Sequence, residues 1–321
     1  MPALILISGA GQLGSRYLQG LAKCSNPLKI FVHDFNNESL QNAKKRWDEV
    51  LNNNSHDVLY ITSLETLPKK IDIAIVSTTA DVRIAATRNI CKSTNVNYWV
   101  LEKVLAQNED EIDELLSLVN SSRAWVNTPR RLMPWHQEIK SQLDFSNSLN
   151  FYVEGGSWGL ACNTIHFLDL FSWWTGELLE SISTKSLNKN WFKSKRENYW
   201  EISGELKAKF SNGSVARIFA DQSSDPVLIK VENNSGGSWN YSWLINEVKG
   251  LAVRSDGTEI SGNLNYQSEI TADLIDSILD HGICNLPLLS ESAELHRIFI
   301  REMHKHWRNS GNPPSTFVPI T

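Results

Sequence analysis

Short continuous apolar runs alternate with helical periodicity through the first third of the chain. Residues 4–8 and 29–33 are apolar runs, and between them 12–23 carries Leu13, Tyr17, Leu18 and Leu21 at helical spacing. The same alternation predicts a helix over 39–52, strands over 58–62 and 71–77, a helix over 82–93 and a strand over 98–101. Runs that are apolar throughout belong to strands covered on both faces, and intervening helices return the chain for parallel pairing by right-handed crossovers. The pattern therefore predicts an α/β domain over residues 1–125, a doubly wound parallel sheet.

Past residue 125 the periodicity changes. Residues 127–143 read as a connector that becomes a helix, and 163–175 as a helix stopped by Gly176. From Trp200 the period becomes two. Ile202, Gly204, Leu206, Ala208 and Phe210 alternate with Glu201, Ser203, Glu205, Lys207 and Lys209, as in one strand with a wet face. Asn212-Gly213 supplies a hairpin turn. Further strands are expected over 215–220, 227–232, 239–246 and 251–254, with Gly236-Gly237 and Asp256-Gly257 as turns, and helices over 270–280 and 292–307. Residues 126–321 should thus form an α+β domain with an open, mainly antiparallel sheet.

Composition narrows the function. The chain has 321 residues, 41% hydrophobic and 21% charged, which suits two globular domains and excludes a disordered chain or one small disulfide-stapled module. Thirty-one basic against 36 acidic residues leave −5, so neither nucleic acid nor anionic lipid is an expected partner. Cys24, Cys91, Cys162 and Cys284 are too scattered for a redox pair, a zinc site or a secreted framework, and read as reduced thiols of a cytoplasmic protein. No apolar run approaches the roughly 20 residues that span a bilayer, and Met1 is read as a cytoplasmic start. No metal site is expected. Twelve tryptophans are an excess that either packs the core or floors a sugar site.

The most specific motif is Gly9-Ala10-Gly11-Gln12-Leu13-Gly14, placed between the first strand and the first helix. In that context the first glycine permits a tight turn, the second lets a pyrophosphate approach the backbone and the third lets helix and strand pack closely. Asp34, at the end of the second strand and 20 residues past Gly14, would accept hydrogen bonds from ribose hydroxyls and repel a 2′-phosphate. The expected cofactor is NAD, with NADP the less favoured alternative, because no arginine directly follows Asp34.

Candidate chemistry lies in two further segments. Glu102-Lys103 ends a parallel strand, where ligands of open sheets bind, and Lys103 there could hold a substrate hydroxyl; a plain surface pair is the alternative. In the helix over 163–175, Asn163, His166, Asp169 and Trp173 share one stripe. That stripe suits either a site or a satisfied core histidine.

Taken together, the glycine loop, the Asp34 strand end, Val76-Ser77-Thr78-Thr79, Glu102-Lys103, the segment 127–134, the His166 helix and the mixed second domain resemble the glucose-fructose oxidoreductase and inositol dehydrogenase group, Gfo/Idh/MocA. The resemblance implies an NAD(P)-dependent dehydrogenase acting on a ring carbon of a sugar, cyclitol or nucleotide sugar. It implies a homodimer or homotetramer formed through the C-terminal sheet of a substrate-binding domain. It further implies catalytic roles for Lys103 and His166, and cofactor contacts from Gly9, Gly11, Gln12, Leu13, Gly14, Asp34, Thr78, Thr79 and Glu102. Arg131, Trp158, Asn163 and Trp173 become candidate substrate residues, Arg130 and Arg131 being otherwise a solvated pair. The chain departs from the family pattern at Val104 after Glu102-Lys103, at Thr79 with Arg83 beyond it, and at Cys162, where an aspartate is common four residues before the histidine. Two rival readings follow from the last departure and the fold: a non-catalytic dinucleotide-binding sensor, and an enzyme that recycles bound NAD in a redox-neutral elimination or epimerisation.

Overall fold

The computed structural model describes residues 1–50, 56–144, 147–233 and 242–321. In chain order the helices and strands are β1 (Ala3–Ser8), α1 (Gln12–Leu21), β2 (Leu28–His33), α2 (Asn37–Asp48), β3 (Asp57–Ile61), β4 (Lys70–Val76), α3 (Ala80–Ser93), β5 (Asn95–Leu101), α4 (Glu109–Leu118) and β6 (Ala124–Val126). There follow α5 (Pro134–Ser141), β7 (Leu149–Glu154), α6 (Leu160–Thr175), β8 (Leu179–Leu187), β9 (Phe192–Lys193), β10 (Trp200–Glu201), β11 (Gly204–Phe210), β12 (Val215–Ala220), β13 (Leu228–Asn233), β14 (Ser242–Asn246), β15 (Leu251–Arg254), β16 (Glu259–Ser261), α7 (Gln267–His281) and α8 (Leu289–Asn309).

These elements fall into two compact units. One is Met1–Ala106, Asp110–Asn127 and Asn265–Ser290; the other is Gln107–Glu109, Thr128–Leu264 and Glu291–Thr321. A single cut at 125/126 gives all of 265–290 to the second domain, whereas the chain returns α7 to the first unit. The return is sterically specific: a Cβ on Gly20 of α1 would stand 2.5 Å from Thr271 Cβ of α7.

The first unit holds a six-stranded sheet in the order β3-β2-β1-β4-β5-β6, parallel throughout. Its central strands are the apolar runs, with Ile5, Leu6, Ile7, Ile73, Ala74 and Ile75 wholly buried. The order reverses between β1 and β4, so the β1–α1 loop opens at a topological switch point, where open sheets bind ligands.

The second unit holds an eight-stranded sheet in the order β16-β15-β14-β13-β7-β12-β11-β8, antiparallel except for the parallel pair β7–β12. One face alternates inward, as in β7, where Leu149, Phe151 and Val153 are buried. α6 lies among the core, Phe151 stacking on Phe171 at 4.2 Å with Trp174 beside them. The other face is polar, with Arg217 paired to Glu205 and Lys230 to Glu232.

The structure modifies the expected elements at three points. The single strand expected from Trp200 is two, because Glu201 turns inward and Gly204 adopts φ +113°. β7 and β8 were not expected; in β8 only Leu179, Ile182 and Leu187 are buried, and irregular pairing with β11 breaks the two-residue rhythm. The helix expected from 163 begins at Leu160. The Gly236-Gly237 turn and the start of the strand expected over 239–246 lie outside the described residues. Among the described residues no helix is long and apolar enough to cross a membrane. Eight tryptophans are buried (Trp47, Trp99, Trp125, Trp135, Trp174, Trp191, Trp243 and Trp307), so most of the excess packs the core.

Candidate functional site

The glycine loop distributes its demands among its glycines. Gly9 has φ +96°, and a Cβ there would stand 3.0 Å from the Thr78 backbone nitrogen. A Cβ on Gly14 would lie 1.8 Å from the Gly9 carbonyl oxygen, so no side chain fits without displacing backbone. A Cβ on Gly11 would meet nothing within 4 Å, so this face of the loop is open space. Gly11 is also the N-cap of α1, and no side chain caps that helix. Helix N-termini leave backbone N–H groups without intrahelical partners, and such a terminus beside open space accommodates an anion.

Asp34 is tied to the same loop. Its Oδ2 accepts the Ala10 N–H at 2.7 Å and its Oδ1 accepts the Asn36 N–H at 2.8 Å. A carboxylate has about four acceptor positions, so both oxygens retain capacity for hydroxyl donors. Arg46, from the last turn of α2, donates to Gln12 O at 3.2 Å, to Gln12 Oε1 at 2.6 Å and to Ser15 Oγ. It brings a cation to the first turn of α1. Beyond β4, Ser77 Oγ donates to Gly9 O at 2.7 Å, Thr79 caps α3 without a side-chain hydrogen bond, and Thr78 Oγ1 is buried without a partner among the described residues. The open cradle at Gly11 and the orphaned Thr78 hydroxyl fit a dinucleotide whose polar atoms complete this surface.

The Glu102-Lys103 pair separates into an inner and an outer residue. Glu102 was expected to face the cofactor, but it is 3% exposed, and its Oε1 accepts Tyr17 Oη and Asn127 Nδ2, both at 2.6 Å. Burial pushes its carboxyl above the ordinary value, against those two hydrogen bonds and the charges of Arg83 and Lys103. Burial, then the Glu102 charge, pushes the Tyr17 phenol up as well. Glu102 is therefore a buried support for the turn, while Lys103 is half-buried at its rim. Arg83, 1% exposed, donates to the carbonyls of Thr78 and Val104 and so clamps the two loops together.

In the second unit the His166 helix is positioned by charges distant in sequence. Glu201, 6% exposed, accepts the Ala161 N–H at 2.8 Å and the Cys162 N–H at 3.2 Å, capping the first turn of α6 from β10. Burial raises its pKa, opposed by the hydrogen bonds from Cys162 and the backbone. Asn163 Nδ2 donates to Trp158 O at 2.8 Å, and Trp158 Nε1 donates to Phe219 O at 3.0 Å while its ring meets Phe167 edge-on. His166 and Asn163 are half-buried, as are Trp158 and Trp173, the last under the Lys140 ammonium at 4.3 Å.

Asp169 leaves the expected stripe. It is wholly buried and bound bidentately by Arg131, Nε to Oδ2 at 2.9 Å and Nη2 to Oδ1 at 2.6 Å, with Thr128 Oγ1 at 2.8 Å. Arg131 Nη2 also donates to Glu291 at 2.6 Å. The expectation that Arg131 grips substrate is corrected, since its bidentate edge is committed within the protein. Arg130 is likewise committed, to both oxygens of Glu247, which also meets His136 Nε2 at 3.1 Å. Burial raises the Glu247 pKa, but Arg130 and His136 outweigh it and hold the carboxyl at about 2.

No protein-family model and no curated protein sequence matches the chain. Solved structures do match. A scyllo-inositol dehydrogenase from Lactobacillus casei, with bound NAD(H) and scyllo-inositol, aligns over 96% of this chain and 98% of its own at 12% identity and a TM-score of 0.65. The UDP-N-acetylglucosamine 3-dehydrogenase GnnA from Acidithiobacillus ferrooxidans aligns over 94% and 96% at 12% identity, TM-score 0.68. The transcriptional regulator Gal80p from Kluyveromyces lactis aligns over 96% and 90% at 14% identity, TM-score 0.73. The fold is that of the Gfo/Idh/MocA dehydrogenases.

Within the Gfo/Idh/MocA fold the three departures can now be located. The Lys103–Val104 peptide is cis, and the Val104 carbonyl is held by Arg83. Arg83 turns inward beneath Thr78-Thr79. At Cys162 the helix carries no acid of its own, but the Glu201 carboxylate reaches that residue's N–H. Sequence reasoning missed Tyr17, Arg46 and Glu201, and for Glu201 no local signal existed, because its partners lie 39 and 40 residues away.

Proposed function

We propose that the protein is an NAD(P)-dependent oxidoreductase that moves a hydride between nicotinamide and a secondary hydroxyl or keto carbon of a sugar, cyclitol or nucleotide sugar. The observation that carries this reading is the open face at Gly11 over the uncapped N-terminus of α1, with Asp34 anchored to the same loop. Gly9, Gly11, Gln12, Leu13 and Gly14 would hold the pyrophosphate, Asp34 the adenosine ribose, and Thr78 and Thr79 the nicotinamide end. The Asp34 carboxylate favours NAD, since like charges repel a 2′-phosphate. When bound, the cofactor accepts or returns the hydride.

The chain's own residues supply the proton chemistry. Oxidation of an alcohol carbon requires loss of the hydroxyl proton, and an imidazole has a pKa suited to take it near neutrality. His166 fills that role, and the Lys103 ammonium stabilises the developing alkoxide. Asn163, Trp158 and Trp173 would orient the ring, with half-buried indole faces for its apolar side. The reading includes a homodimer or homotetramer through the second sheet. The Gal80p likeness and the absence of an acid at Cys162 favour one second reading, a non-catalytic dinucleotide sensor.

Titration with NADH and NADPH followed by nicotinamide fluorescence, then a screen of sugars and nucleotide sugars, tests both readings. Tighter NADH than NADPH binding with turnover lost by roughly 100-fold in His166→Asn and Lys103→Ala supports the enzyme. Cofactor binding with no turnover of any substrate supports the sensor. Binding of neither cofactor overturns both.

A further inference from the structure

A cavity of about 620 Å³ lies in the second unit at the β8 edge of its sheet, lined by β8, β11 and the last turns of α8. Five lysines line it: Lys185, Lys189, Lys207, Lys209 and Lys305. Glu302 is the one carboxylate of the lining among the described residues, 3.9 Å from Lys305 and 3.8 Å from Arg301. No described carboxylate forms an ion pair with Lys185, Lys189, Lys207 or Lys209. Five positive charges against one negative leave a lining of about +4 in a chain whose net charge is −5. Composition therefore does not account for the cluster. Like charges gathered on one surface repel, and the field of such a concave surface concentrates anions.

The strands add order to the charge. Lys207 pairs across to Ser183 and Lys209 to Ser181, so two lysine–serine rungs stand on one face, about 7 Å apart along β11. Each rung offers an ammonium and a hydroxyl, the donor pair that suits a phosphate oxygen. The cavity volume falls within the roughly 300–1,000 Å³ of small-ligand sites, room enough for a small polyanion.

We propose that this cavity binds a compact oligophosphate, a small molecule with two or three linked phosphates, at a site separate from the glycine loop. Its charge matches, since each phosphate group carries about −1.5 to −2 when terminal and about −1 when bridging.

Isothermal titration calorimetry of the full chain with sodium tripolyphosphate tests the assignment. The expected result is one site per chain, weakened at least about tenfold in the double variant Lys207→Gln/Lys209→Gln and by a smaller factor in Lys305→Gln. The variants should keep the wild-type urea midpoint and NADH titration, because these side chains are exposed and lie outside the glycine loop. Absence of binding, or binding that the double variant leaves unchanged, overturns the proposal. So does an oligodeoxythymidylate that binds more tightly than tripolyphosphate and is lost in the same variant, since that outcome makes the lysines a nucleic-acid surface.

Discussion

The N-termini of α1 and α6 both stand beside candidate functional residues, and they are built in opposite ways. α1 begins at a glycine with no side-chain cap, open space on one face and Asp34 holding the preceding N–H. α6 also begins at a glycine, Gly159 at φ +81°, but its first free N–H groups are filled by the buried carboxylate of Glu201. A helix N-terminus carries roughly half a positive charge. At α1 that charge is available to a ligand's phosphates. At α6 it is already taken up by the protein's own carboxylate, so an anionic ligand group has no place there. One terminus is left open and the other is filled.

α6 depends most heavily on its buried charge. Replacing Arg131 by Met leaves Asp169 buried and unpaired, which should cost about 3–5 kcal/mol. The double replacement Arg131→Met with Asp169→Leu should recover much of that loss, because neither charge is then stranded. Urea unfolding of the three variants checks it. Equal destabilisation in the single and the double variant would show that the pair is not what holds this helix.

At α1, Gly11 and Gly14 face different surroundings. Gly14→Ala places a methyl against the Gly9 carbonyl and should destabilise by about 1–3 kcal/mol or more, through displaced backbone. Gly11→Ala meets no atom, so the unfolding free energy from urea titration should stay within about 0.5 kcal/mol of wild type while NADH affinity falls by roughly tenfold, as the methyl intrudes on the ligand's side. Opposite separation of the two variants, with Gly11→Ala unstable and Gly14→Ala weak only in cofactor binding, would reverse the assignment of the loop's faces.

The two units also differ in how far the sequence alone reveals them. The first sheet was legible because its strands are buried on both faces and spell themselves as apolar runs, and because the glycine loop is six consecutive residues with a context. Asp34 was singled out by its spacing. β8 was not legible, since Ser181, Ser183, Thr184 and Lys185 leave little apolar rhythm and irregular pairing removes the rest. Nor was Arg131, because an arginine that grips Asp169 from 38 residues away has the same local sequence as one awaiting a substrate. The charged residues on which α6 rests are fixed by long-range pairing, and pairing of that kind leaves no period. The second unit's candidate residues were therefore visible as a list of residue types and invisible as an arrangement.

The smallest expected effect is the most specific to α6. Glu201→Gln keeps the size of the side chain but leaves one acceptor for two N–H groups, so at pH 5 it should cost about 1 kcal/mol. The pH dependence follows from the direction of the wild-type shift. Burial raises the folded carboxyl above its unfolded value, so Glu201 contributes stability that is full below the unfolded pKa and declines as pH rises through the folded one. Glutamine has no such transition. The variant should therefore gain on wild type between pH 5 and pH 8, and the gap seen at pH 5 should narrow or close. Parallel stability curves for the two proteins across that range would mean that the carboxylate is not desolvated at the α6 terminus. The contrast with the open α1 terminus would then rest on the glycine loop alone.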